Sequence, residues 1–331
     1  MYFPILRGKR FELLAMRDLA AQLANHHQVF PVVEPVREGT VATDLRRALE
    51  TWSDANGVSG VVVNPTVGDF SSRGPASDIL TELVPWSESL MAGVRPEPYA
   101  IVAVGSDVAS AAKVIEEVVD ALGESYPVGI WIAQRADQDE IANLVVETRA
   151  SLQLVMGEHA RVVRRAGRAA SPRPLRVAVS DPFPVRETNA GYESGAEQVF
   201  TEEHQYLRDE SLEGFADFGT IGNRFRDGGG APRHVVIHWT YRRGSDSSPV
   251  MLRHFKSSDE SAVAPVQVKY AEAARALLAF ADEMNLPETL GLNGIREYDK
   301  SGSFPGLGML KKLSIMNHLA VMDEAVGAES L

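Results

Sequence analysis

The stretch that decides the fold runs from residue 99 to residue 132, YAIVAVGSDVASAAKVIEEVVDALGESYPVGIWI. It opens on a short apolar run, Tyr99 to Val104, with no polar alternation. Such a run suits a strand covered on both faces, as in a parallel sheet. Gly105 and Ser106 break it, Val108 to Leu122 reads as a helix, and a second unbroken run follows from Val128 to Ile132. Strand, helix, strand in this spacing is one turn of an α/β fold.

Working outward, the unit repeats. Before it come the runs Tyr2 to Leu6, Val29 to Val33 and Gly60 to Val63, with helices expected near 11–23, 41–52 and 78–84. After it come Leu152 to Met156 and Leu175 to Val179, with helices expected over 137–148 and 158–168. Seven such units favour closure into a barrel, although an open doubly wound sheet gives the same local signals. Beyond Asp181 the order weakens. Pro182 to Gly195 reads as a loop, Gln198 to Leu212 as a seventh helix, and Phe215 to Ile221 as a candidate eighth strand. The runs His234 to Arg242 and Pro249 to Lys256 flank a turn and read as a β-hairpin, with His234, His238, Thr240 and Arg242 on one face. A helix over 266–284, a glycine-rich loop and a helix over 308–326 close the chain. The expectation is a single α/β domain, a (β/α)8 TIM-barrel-like fold with a late β-hairpin insertion at 227–256 and C-terminal helices.

Composition narrows the function classes. A formal charge of −12 disfavours broad attraction to nucleic acid or anionic lipid. The absence of cysteine excludes disulfides, thiolate metal sites and a cysteine nucleophile. No apolar stretch approaches the roughly 20 residues of a membrane span, and the opening residues do not read as a signal peptide. A cytoplasmic protein is expected.

The segments Phe3-Pro4-Ile5-Leu6-Arg7-Gly8-Lys9, Glu12-Leu13-Leu14-Ala15, Phe30-Pro31-Val32-Val33-Glu34-Pro35 and Phe215-Ala216-Asp217-Phe218-Gly219-Thr220-Ile221-Gly222 resemble the beta protein family of phages and bacteria. The resemblance implies a TIM-barrel-like fold and a role in phage defence or phage–host conflict. It supplies no catalytic residues.

In parallel α/β folds, ligands sit at the carboxyl ends of the strands. Those ends offer Arg7, Lys9, Glu34, Asn64, Gly105-Ser106, Gln134, Gly157 and Asp181, joined by Asp217, Thr220 and Asn223 from the last unit. Glu34 and Asp181 are candidate acid and base, and His238 a candidate catalytic imidazole. Arg7, Lys9, Asn64, Asp217, Thr220 and Asn223 are candidate ligand-binding groups. Internal pairing of Arg7 and Lys9 with Glu34, and strand-ending X-Pro turns at Glu34, Asn64 and Asp181, account for the same residues structurally. His234 and His238 lie four apart on one strand face and His254 is on the neighbouring hairpin strand; if the register aligned them, two imidazoles and a carboxylate such as Asp217 could bind a metal or shuttle protons, while a solvated hairpin face explains the alternation as well. The spacing matches no specific metal signature, so no metal ligand set is assigned, and no cofactor is identified. Gly219 to Asn223 offers a turn that could cradle phosphate. The arginines between Arg161 and Arg176 form a basic strip without aromatic residues for base stacking, so a solvated face outweighs nucleic acid there.

Two functions stand open. One is a phage-defence-associated barrel with a small-molecule site, for an anionic, nucleotide or phosphate-like ligand, at its C-terminal mouth. The other is a non-catalytic partner or scaffold protein of a defence complex.

Overall fold

The structure, a computed structural model, describes residues 1–71, 77–90, 96–133, 137–148, 150–156, 174–207, 212–226, 232–244, 248–258 and 264–328. Its strands are β1 (Tyr2–Leu6), β2 (Val32–Val33), β3 (Gly60–Val62), β4 (Tyr99–Val104), β5 (Val128–Ile132), β6 (Leu152–Met156), β7 (Leu175–Val179), β8 (Glu197–Thr201), β9 (Gly214–Asp217), β10 (Val236–Arg242) and β11 (Val250–Lys256). The principal helices are α1 (Arg10–Leu23), α2 (Arg46–Asp54), α3 (Ser77–Leu90), α4 (Val108–Leu122), α5 (Gln138–Glu147), α6 (Val266–Glu283), α7 (Leu290–Ser301) and α8 (Leu307–Ala328). The described residues form two compact units, residues 1–180 with 206–217, and residues 181–205 with 218–331. The sequence reads as one domain; the packing has two centres.

The first unit is a closed barrel of eight parallel strands, β1 to β7 and then β9, with β9 pairing both β7 and β1. The expected (β/α)8 fold is therefore present. Its inner face can be read from side-chain convergence. The rings of Phe30 and Tyr99 touch at 5.3 Å although β3 lies between their strands, a contact that a concave inner face allows. Gly60 on β3 makes room for it, since a Cβ there would stand 2.9 Å from the Ile101 side chain. Phe3, Ile101 and Leu152 share that inner layer by register. Alternation then puts Tyr2, Phe215 and Asp217 on the outer, helix-covered face of the wall. Helix starts obey capping chemistry: Asp107 accepts the Ser110 N–H at 3.2 Å, and Asp137 accepts those of Asp139 and Glu140.

The second unit is a three-stranded antiparallel sheet in the order β10-β11-β8. The expected hairpin is there, with His238 directly opposite His254. Three expectations need correction. Residues 197–201 form strand β8 rather than the start of a seventh helix, because Phe200 is buried and the backbone pairs with β11. The glycine-rich loop after α6 contains helix α7. Thr289 caps it, and Gly291 and Gly294 are contact points, not breaks: a Cβ on either would come within 2.4 to 2.5 Å of Leu313 on α8. The polar hairpin face is not solvated. Helix α8 covers it, with the Thr240 hydroxyl 3.1 Å from His318 Nδ1 and the Asn317 amide donating to the Thr240 carbonyl at 2.8 Å. The opposite face packs on α6, where Phe280 meets Tyr241 and Phe255.

The helix expected over 158–168 and residues 227–231 at the start of the expected insertion lie outside the described residues, as do Gln134, Gly157 and the arginines 161, 164, 165, 168 and 173. Arg176, the described member of the basic strip, is no surface group: it is buried on β7 and pairs with Glu213 at 3.4 Å.

Candidate functional site

The strand ends of the barrel hold Arg7 and Glu34, both buried. Arg7 follows β1 and Glu34 follows β2, and the parallel pairing of those strands sets them side by side. The Arg7 guanidinium donates to Glu34 Oε2. The other carboxylate oxygen accepts from the backbone N–H and the hydroxyl of Thr66, at 2.7 and 2.8 Å. The Arg7 backbone N–H goes to buried Glu12 at 2.6 Å. Gly8, at φ +61°, carries the chain close over this pair, since a Cβ would lie 3.0 Å from the Glu34 carbonyl oxygen. Charge is thus matched by charge, and both Glu34 oxygens are bonded.

Asn64 acts as a strand extension. Its amide donates to the Ala103 carbonyl at 2.8 Å and accepts the Ala103 N–H at 2.7 Å, continuing the β3–β4 ladder with a side chain. Asp217 is not a mouth group. It sits fully buried on the outer wall face and accepts the Tyr2 hydroxyl at 2.7 Å. That contact and burial push the Tyr2 phenol well above its ordinary pKa, burial contributing most. Lys9 is half-buried at the N-terminus of α1.

In the second unit, Asp181 is exposed and accepts the Asn223 N–H at 3.1 Å. This spends the backbone donor that a phosphate cradle would need, and Gly219–Ile221 is a single 3-10 turn with Thr220 buried in it. Gly222, at φ +69°, approaches Val185 so closely that a Cβ would fall 2.3 Å from its side chain.

His238 and His254 form the most distinctive arrangement. Their Nδ1 atoms are 2.9 Å apart, and Phe183 and Tyr192 close round them, Tyr192 at 4.6 Å from one ring and 4.8 Å from the other. Burial first, then the neighbouring His254 and Lys311, lower the His238 pKa to about 3; burial and Arg186 lower that of His254 to about 4. Both rings are neutral at pH 7. One Nδ1 must donate and the other accept, so the two rings are locked in complementary tautomers. Neutral rings with such low pKa values are poor general bases near neutrality. His234 stands apart, with Nδ1 2.9 Å from the Ser257 carbonyl oxygen. Among the described residues no three His, Asp or Glu side chains gather as a metal-binding group.

Strand-end logic finds Arg7 and Glu34, and the hairpin reading groups His234, His238 and His254, of which the structure pairs His238 with His254. It misses Thr66, Phe183 and Tyr192, which come from loops whose sequence carries no periodic signal. Nothing matches the chain among known protein families or curated proteins.

Proposed function

We propose that this chain is a non-catalytic, defence-associated binding protein, acting in the cytoplasm through a partner, with the barrel as its scaffold. One observation carries this reading: the strand-end groups of the barrel that could serve chemistry are already bonded to one another, Arg7 to Glu34 and Glu34 to Thr66. An anionic, nucleotide or phosphate-like ligand at Arg7 would have to break a buried ion pair, leaving Glu34 charged and uncompensated. The defence setting rests on the resemblance of residues 3–9, 12–15, 30–35 and 215–222 to the beta protein family. Among the described residues, no helix is long and apolar enough to cross a membrane.

The test replaces the pair rather than breaking it. Apolar replacements of a buried ion pair are often neutral or stabilising, so Arg7→Met/Glu34→Leu should keep the fold. Bacteria expressing the wild-type chain or the double variant are challenged with a phage panel, and melting temperature is measured on the purified proteins. Equal protection by both supports the scaffold reading. A well-folded double variant that no longer protects returns the barrel mouth to the role of a working site. Absence of protection by the wild-type chain overturns the defence setting.

A further inference from the structure

Helices α6 and α7 of the second unit leave a cleft of about 440 Å³ between them, within the range of small-molecule sites. Gln267, Ala271 and Arg275 recur at one-turn spacing and turn one face of α6 toward it. Tyr298 and Asp299 line it from α7, and Gly302 from just beyond that helix. Two of these positions carry little or no side chain, Ala271 and Gly302, so the space between the helices is left unfilled. The Gln267 amide donates to the Gly302 carbonyl at 3.2 Å and ties the two walls together.

The polar groups around this cleft are largely unspent. Tyr270 lines it, is buried and packs on Phe304 at 5.4 Å, and its hydroxyl has no hydrogen-bond partner among the described residues. A buried hydroxyl left in that state is costly. Burial first, then nearby Asp299 and Tyr298, raise the Tyr270 phenol to about 12. Among the described residues neither the Tyr298 hydroxyl nor the Asp299 carboxylate makes a hydrogen bond. Asp299 has one ion-pair partner there, Arg275, at 3.9 Å, and Arg275 is 74 % exposed. A pair that long and that exposed holds little. Glu272, exposed, spends one oxygen on the Ser258 N–H at 3.0 Å. With Glu272, Asp299 and Arg275 as its charged groups, the lining is net acidic.

We propose that this cleft binds a primary organic ammonium ion with a flat apolar body. The ammonium donates to the Asp299 carboxylate and the Tyr298 hydroxyl, and the uncommitted Tyr270 oxygen adds negative potential to the same place. Val268 and Ala271 on one wall and the Tyr298 ring on the other take the apolar body. Arg275, held by Asp299 alone among the described residues, gives way to the ligand and competes with it.

Isothermal titration of the full chain with phenethylammonium chloride, and with 2-phenylethanol as the uncharged isostere, tests this. Phenethylammonium should bind saturably and at least about tenfold tighter than the alcohol, because only the cation pairs with Asp299. Asp299→Asn, close in shape and without the charge, should weaken it at least about tenfold. Arg275→Gln should tighten it about threefold by removing the internal cation. Ala271→Leu fills the cleft from the half-buried face of α6 and should abolish binding with Asp299 still in place, so that loss of binding does not hang on one variant. Equal binding of the two compounds, no saturable binding of phenethylammonium by the Arg275→Gln protein, or undiminished binding by the Asp299→Asn protein overturns the proposal.

Discussion

The two units each bury a polar pair, and they solve the burial problem in opposite ways. In the barrel, Arg7 and Glu34 keep their charges and cancel them, with Thr66 occupying the remaining carboxylate oxygen. In the antiparallel sheet, His238 and His254 give up their charges and share a hydrogen bond as neutral rings. The first pair is costly to break. The second is sensitive to acid by construction. Neither histidine of the second pair holds a proton poised to move at pH 7.

The contrast can be broken most forcefully at Glu34. Glu34→Ala leaves a buried guanidinium without its carboxylate and should cost about 3–5 kcal/mol of unfolding free energy in urea titrations. A loss under about 1 kcal/mol would mean that the pair is not a matched buried unit.

Acid is the next lever. In the unfolded chain the two histidines titrate near 6.5, and in the folded chain near 3 and 4. Between those values the unfolded state binds more protons, so stability falls as pH drops from about 6.5 and levels off below about 3. The two depressions add, so the loss across that window exceeds what either histidine alone would give. The double variant His238→Leu/His254→Leu should remove most of that slope while leaving neutral-pH stability close to wild type. An unchanged slope in circular-dichroism melts would place the acid sensitivity elsewhere.

The smallest effect expected is at the outer wall of the barrel. Tyr2→Phe deletes a hydroxyl that Asp217 accepts at 2.7 Å and should cost about 1–3 kcal/mol, the penalty for thinning the hydrogen bonding of a buried carboxylate. Its effect should be confined to stability, read as a lower midpoint in urea titrations.

The barrel was legible because its signal is local. Unbroken apolar runs such as Tyr99–Val104 and Val128–Ile132 become strands with the bounds read from sequence. The second unit was harder, since its strands take their identity from partners far along the chain. Glu197–Thr201 carries no run of its own and becomes β8 only against β11, and the glycines of α7 look like loop residues until α8 lies against them. At the site, strand ends gave the residues but not their commitments. Nothing in the local sequence says that Thr66 closes off Glu34, or that Asp217 points to Tyr2 on the far side of the wall. Those bonds are set by parity and register between separate segments.

The order in which the chain visits its two units has a consequence for how it comes off the ribosome. It passes between them three times, after residues 180, 205 and 217. The first strand of the barrel waits for β9, and β8, made earlier than β9, waits for β11. The barrel therefore stays open at its seam while part of the second unit emerges, and that part in turn emerges before its own partner exists. Both seams close over long stretches of chain, which makes their pairing slow relative to the local strand–helix units. No single cut separates the units into independently encoded pieces. An organism that makes this protein has to finish both together.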